Sequence, residues 1–384
     1  MLDYFLKNYY GYYVLYILLL LFSILSILNK KREKIYFFIF SIISSFFIIF
    51  RFDFEFDYVW YWIVGDNKFK DYWVYSFEYG RIEILFKILY KLTRFLEEPK
   101  LFFIITGSIF SYFFFSSIKK YTENRMLALA LYFYLPSLYF TFLVGFIRQG
   151  LAVVTSFFLI QLLVENKGLK YFWGVLFVTF FVHKSAIVCL LYLVIYKIKN
   201  KKKMIKLFKI GVILFFLNLE IFLKNISFLK KYTYYLQTKI EFNLGAKAIL
   251  IIIFFYFLLE ILRKIKKVKL SEVEQYYQEM INIGILIFLL TLITIGGHVP
   301  MRTGLYFLII FPIYFSRVLN KLRIKKGIEI MVVIILFFFG SLNLIRVSFK
   351  EYSKVRKSWY FKLLLFNNYK DIDGKYTPHG KIEF

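Results

Sequence analysis

The chain has 384 residues, of which 60% are hydrophobic, and Phe and Tyr alone supply 51 and 33 of them. No soluble core hides so many long apolar runs, so the chain reads as an all-α polytopic integral membrane protein, with one helix per roughly 20 apolar residues across a hydrocarbon layer about 30 Å thick. The net charge of +28 sits in short basic stretches between those runs; without a soluble domain to carry a basic face, this pattern marks membrane orientation and argues against nucleic acid as a partner.

The first stretch, YYGYYVLYILLLLFSILSIL, is too long for a signal-peptide core and lacks a small-residue cleavage site, so it is expected to remain as a span. About twelve spans are predicted, at residues 9 to 28, 35 to 50, 100 to 118, 126 to 144, 149 to 164, 169 to 183, 185 to 199, 204 to 223, 244 to 262, 279 to 296, 303 to 319 and 328 to 345. Between alternate spans lie NKKREK, KKYTENR, ENKGLK, KIKNKKKMIKLFK, RKIKKVK and NKLRIKK, and the charge rule turns these six toward the cytoplasm. All six share one side only if residues 169 to 199 cross twice and turn at FVHKSA, which requires two rather short helices.

That topology puts both termini outside, together with the long loop 51 to 98, the GFIRQG entry, the VHKSA turn and the GGHVPMR connection. Segment 82 to 96, IEILFKILYKLTRFL, is too charged to span and reads as an amphipathic helix in the outer interface. Residues 224 to 243 resemble a further interfacial helix, and 346 to 384 form a basic, aromatic outer tail. With no internal repeat and no low-complexity linker, residues 1 to 384 are expected to form a single integral domain. The one cysteine, Cys189, excludes an intramolecular disulfide and a cysteine-based metal site.

Ionisable groups at a membrane boundary are costly and therefore mark candidate sites. Arg148 and Gln149 open a helix on the outer side, where a lone arginine could snorkel to headgroups or present its planar fork to a phosphate. His183, Lys184 and Ser185 form the tip of the predicted hairpin; an isolated histidine is most often a packing residue, but the turn aims this one at the outer side. Beyond it the chain has only His298 and His379, so no metal site is expected. In RFDFEFDYVWYW, Arg51, Asp53, Glu55 and Asp57 are crowded among aromatic residues, either as an exposed hairpin or as a pocket in which a carboxylate could act as a base. Glu78 is a second carboxylate in that loop, and Arg302 repeats the Arg148 arrangement after a Gly/Pro break.

Taken in order, these stretches resemble the EpsG family of Wzy-like polysaccharide repeat-unit polymerases. Arg51, then Asp57-Tyr58 and Tyr61, is similar to that family's pattern after the second span. FEYGRIEILFKIL, FIRQGLAVVTSFFL, FFVHKSAIVCLLYL and RTGLYFLIIFPIYF follow as further matches, so the resemblance covers residues 51 to about 319. Glu55 stands where the family usually has glycine, and Tyr79 where proline is common.

The resemblance implies a GT-C-like membrane glycosyltransferase in the bacterial cytoplasmic membrane. It would join undecaprenyl-pyrophosphate-linked oligosaccharide units on the outer leaflet into capsular polysaccharide, exopolysaccharide or O-antigen. No cofactor is implied; flippase and chain-length regulator proteins are the implied partners. In that chemistry Arg148 and Arg302 would stabilise charge on the pyrophosphate leaving group, with Lys184 in reserve, and either Asp57 or His183 would be the base toward the acceptor hydroxyl. Arg51, Tyr58, Tyr61, Glu78, Gln149, Lys184, Ser185 and Tyr306 would contact substrate. Two alternatives are a lipid-linked oligosaccharide flippase, for which Glu220 and Glu260 near helix ends speak, and an O-antigen-ligase-type transferase.

Overall fold

The computed structural model describes residues 2–52, 83–98, 100–135, 138–139, 147–199, 201–218, 221, 224–225, 244–294, 299–354 and 362–363. These are overwhelmingly helical. In chain order the helices are α1 (Leu2–Leu28), α2 (Glu33–Ile49), α3 (Ile84–Phe95), α4 (Lys100–Tyr121), α5 (Arg125–Tyr134), α6 (Ile147–Val164) and α7 (Gly168–Phe181). A 3-10 segment, Lys184–Cys189, leads into α8 (Leu190–Ile198), α9 (Lys202–Leu217), α10 (Leu244–Ile265), α11 (Glu272–Thr294), α12 (Val299–Leu308), α13 (Phe311–Lys321) and α14 (Lys326–Lys354). Strands β1 (Arg51–Phe52) and β2 (Lys362–Leu363) pair antiparallel and tie the start of the long loop to the C-terminal segment.

Among the described residues two helices, α4 and α6, are long and apolar enough by themselves to cross a membrane. Length and composition would fit buried helices of a soluble protein equally well, but the outward faces would not. Leu169, Trp173, Phe177 and Phe180 form an exposed stripe along α7, and Ile35, Phe38, Ile39, Ile42 and Phe46 form one along α2, with Phe180 64% and Phe38 63% exposed. Ile328, Met331, Ile335, Phe338 and Leu342 do the same on α14. Large apolar residues at helical spacing on the outside make contiguous patches that water does not tolerate and that hydrocarbon solvates.

Within a bilayer every backbone polar group needs an internal partner, and tyrosine supplies many of them here. Tyr16 Oη donates to Phe133 O at 2.8 Å, Tyr134 Oη to Tyr16 O at 2.7 Å, and Tyr171 Oη to Cys189 O at 2.7 Å. Each ring fills apolar space while its hydroxyl reaches a carbonyl.

At the centre stands α5, in which every residue from Met126 to Tyr134 is at most 2% exposed. Its first amides are held by the Glu33 carboxylate, 2.7 Å from Arg125 N and 3.3 Å from Met126 N, while Arg125 Nη1 pairs with the same group at 2.8 Å. A carboxylate at a helix N-terminus meets both the free N–H groups and the dipole. Gly340 of α14 makes a close approach to α5 possible, since a Cβ there would lie 2.8 Å from Tyr134 Cα.

Two predicted spans are interrupted. The helix expected over 126 to 144 ends at Tyr134 because Pro136 drives Leu135 into an extended conformation, φ −65° and ψ 127°. The span expected over 303 to 319 is two helices, α12 and α13, separated at Ile309 and Ile310 ahead of Pro312. Proline cannot donate to the preceding turn, and tyrosines cover carbonyls around the break: Tyr132 Oη bonds Ile309 O at 2.5 Å, and Tyr192 Oη bonds Tyr306 O. At the C-terminal end, α14 continues through Lys354, so the first part of the predicted tail is helical.

The turn at FVHKSA is present, with α7 ending at Phe181 and the chain returning through the 3-10 segment and α8. Tyr196 Oη on α8 meets Asn166 Oδ1 before α7 at 2.9 Å, which closes the hairpin at its far end. The shortness of α8 is offset by the greater rise of the 3-10 turn, and together they reach roughly 25 Å.

Contacts join the basic loops at one end of the bundle. Lys326 Nζ bonds Leu28 O at 3.2 Å, Lys120 pairs with Glu165 at 2.7 Å, Lys199 with Glu272 at 3.9 Å, and Arg317 Nη1 bonds Tyr121 O at 2.8 Å. Glu274 carries a capping box with Ser271, their reciprocal bonds measuring 2.8 and 3.3 Å, and also pairs with Lys321. These contacts gather the segments around Leu28, Lys120, Glu165, Lys199, Glu274 and Lys326 at one end of the bundle.

Candidate functional site

Opposite the basic end, three chain segments that are far apart in sequence meet. Helix α6 runs about 27 Å from its first residue to the loop at Glu165, so Arg148 and Gln149 in its first turn lie at the other end. The α7 hairpin brings its tip to the same place. The third contributor is the N-terminus of α3, the amphipathic helix, which buries Phe86, Leu89, Tyr90 and Thr93; Tyr90 stacks on Phe102 of α4, with ring centroids 5.0 Å apart.

Their meeting point is Glu83. Its residue is 5% exposed, and Oε2 accepts from Arg148 Nη1 at 3.1 Å while Oε1 accepts from the Lys184 backbone N–H at 3.4 Å. Glu83 stands at the N-cap position of α3, yet its side chain makes no capping bond to that helix. It faces inward instead.

A second chain of hydrogen bonds starts at the hairpin tip. His183 has an extended backbone, φ −161° and ψ 126°, which swings the imidazole over the turn so that Nδ1 accepts the Ser185 N–H at 3.2 Å. Ser185 Oγ lies 2.6 Å from the same nitrogen and 2.8 Å from Tyr306 Oη. A ring nitrogen that accepts a backbone N–H cannot also carry a proton, so the tautomer follows with the proton on Nε2. The bonds then run from Tyr306 to Ser185 to His183. His183 and Ser185 are half-buried, Lys184 is exposed, Gln149 is buried at 4% and Tyr306 fully.

Of the residues singled out in the sequence, the structure brings Arg148, His183, Lys184, Ser185 and Tyr306 together. Arg302 sits on the first turn of α12, one turn before Tyr306, and Arg51 is in β1; both are placed by their backbone. Asp57, Tyr58, Tyr61 and Glu78 lie outside the described residues. Among the described residues no group of three or more His, Cys, Asp or Glu forms a possible metal site. Sequence reading passed over Glu83, because an acidic residue at a helix start ordinarily signals nothing more than a cap.

The arrangement is chemically one-sided: a guanidinium, an oriented imidazole and two hydroxyls presented at one end of an apolar helical bundle. These groups bind and orient oxyanions and hydroxyls. Fold and site together define a helical membrane protein with a polar cluster at one end. The model of the EpsG family matches residues 34–360, most of the chain, and the chain belongs to that family, a family of Wzy-like polymerases. No curated protein and no solved structure matches it.

Proposed function

We propose that this protein joins undecaprenyl-pyrophosphate-linked oligosaccharide repeat units at the outer leaflet of the cytoplasmic membrane, with the end opposite the basic loops facing outward. Family membership supports a polysaccharide polymerase acting on a lipid-linked oligosaccharide. The observation that carries the site assignment is that Glu83 bonds both Arg148 and the Lys184 amide, which places Arg148 beside the hairpin tip where His183, Ser185 and Tyr306 are hydrogen-bonded in a chain. On this reading the chain crosses the bilayer many times as one GT-C-like domain, with the loop 51–98 and the tail 346–384 outside.

The sugar hydroxyl of the incoming unit attacks the anomeric carbon of the growing chain, and as that C–O bond forms the bond from the same carbon to the carrier breaks, releasing the lipid pyrophosphate. The proton of that hydroxyl goes to Asp57, or by way of Ser185 Oγ to Nδ1 of His183, the ring nitrogen that carries no proton. Arg148 meets the charge growing on the bridging oxygen, and Arg302, one turn before Tyr306, adds a second cation. A planar fork matches two phosphate oxygens at once, which a lysine cannot do.

The test is substrate feeding with purified protein in liposomes. Arg148→Ala and Arg148→Lys, at normal levels, should each reduce polymer formation by on the order of a hundredfold. Polymer of unchanged length and amount from both variants overturns the donor role. A single transfer to a different acceptor marks a ligase, and movement of substrate without new bonds marks a flippase.

A further inference from the structure

We propose that Glu83 is a positioning residue of this site, a buried carboxylate that sets the plane of the Arg148 guanidinium and locks the hairpin tip to it. The proposal rests on the pyrophosphate reading given above.

A buried ionised carboxylate is costly unless paired, and the pair itself commonly adds little stability. The positions of its two oxygens indicate what Glu83 provides. One oxygen takes Arg148 Nη1 at 3.1 Å and the other takes the amide of Lys184 at 3.4 Å, the first residue of the 3-10 segment that carries Ser185. One side chain therefore fixes the cation on α6 relative to the segment that holds the imidazole and the serine. Helix α3, the element that delivers it, follows directly on the loop that contains Asp57 and Glu78. A guanidinium has five N–H donors in a rigid fork, so committing one of them determines where the others point.

The carboxylate also has an electrostatic effect opposite to that of a simple brace. Its negative charge beside Arg148 weakens the attraction of the site for any anion. Removing that charge while keeping the shape should leave ground-state binding of a pyrophosphate unchanged or tighter, yet lower turnover, because the fork is no longer held in its working orientation. A residue that only stabilised the fold would lose binding and turnover together.

Full-length protein is compared as wild type, Glu83→Gln, Glu83→Asp, Arg148→Ala and the Glu83→Gln/Arg148→Ala double variant. Thermal stability, affinity for farnesyl pyrophosphate, and kcat and KM for polymer formation are measured. The proposal expects Glu83→Gln to lower kcat by about tenfold to a hundredfold while farnesyl pyrophosphate binds as tightly or tighter, with Glu83→Asp in between. In the Arg148→Ala background the Glu83→Gln change should add less than about twofold, because a residue that acts through Arg148 has nothing left to position. Loss of binding, turnover and thermal stability in parallel overturns it, as does full multiplication of the two losses. A Glu83→Gln variant of normal kcat beside an inactive Arg148→Ala variant refutes this inference alone. An Arg148→Ala variant with normal binding and turnover refutes the pyrophosphate reading and the role of Glu83 with it.

Discussion

Ser185 Oγ and Tyr306 Oη lie 2.8 Å apart although 121 residues separate them in the chain, and this contact fastens the hairpin tip to α12. Since Ser185 also meets His183 Nδ1, the three side chains form one relay. Tyr306→Phe keeps the ring and removes the hydroxyl, and it should reduce polymer formation by about tenfold; Ser185→Ala should do the same. The double variant should be little worse than either, since both remove links of one chain. Kinetics of the three purified variants check this, and fully additive losses would break the relay.

The two ends of the bundle should be reachable from opposite sides of the membrane. The chain's only cysteine, Cys189, is buried, so Cys189→Ser gives a silent background for single introduced cysteines. Cysteines at 184 and 148 should react with an impermeant maleimide added outside intact cells, and those at 120, 167 and 267 only after permeabilisation. Labelling of position 148 from the cytosolic side would overturn the outward orientation.

Glu165 gives the basic end a pH dependence. Lys120, followed by Lys167 and Gln161, bonds its carboxylate and holds it down from an ordinary 4.5 to about 2. A depressed folded-state pKa stabilises the protein above the unfolded value, and that contribution is lost as pH falls toward the folded one. Wild type should therefore exceed Glu165→Gln in melting temperature at neutral pH, and the difference should close between about pH 4.5 and 2. A difference independent of pH would rule out the ion pair as its source.

The break between α12 and α13 should depend on the tyrosine that covers it. Tyr132→Phe leaves the Ile309 carbonyl without its 2.5 Å partner in a dry interior, which should cost about 1 to 3 kcal/mol. Gly340→Leu should be worse, because the new Cβ would lie 2.8 Å from Tyr134 Cα, a backbone atom that cannot rotate away. Thermal unfolding in detergent of both variants measures the order; a harmless Gly340→Leu would contradict the close packing of α14 on α5.

Runs of apolar residues made most helices legible, and the positive stretches between them made their ends legible, because both signals are compositional. The interruptions at Pro136 and Pro312 escaped that reading: hydropathy is blind to a missing N–H, and LIIFPIYF remains apolar throughout. Arg148 and His183 stood out as polar residues among apolar ones. Tyr132 and Tyr192 did not, since in a chain with 33 tyrosines no single one carries information until its hydroxyl is seen against a carbonyl. Glu83 was concealed by its position, for only the packing reveals that it ignores its own helix in favour of Arg148.

Helix α5 has ten residues and measures about 15 Å, half of a hydrocarbon layer. A helix of that length does not reach across hydrocarbon by itself. Its surroundings are supplied by α1, α13 and α14, and since α14 begins nearly two hundred residues later, the enclosure of α5 is complete only once that helix has been made.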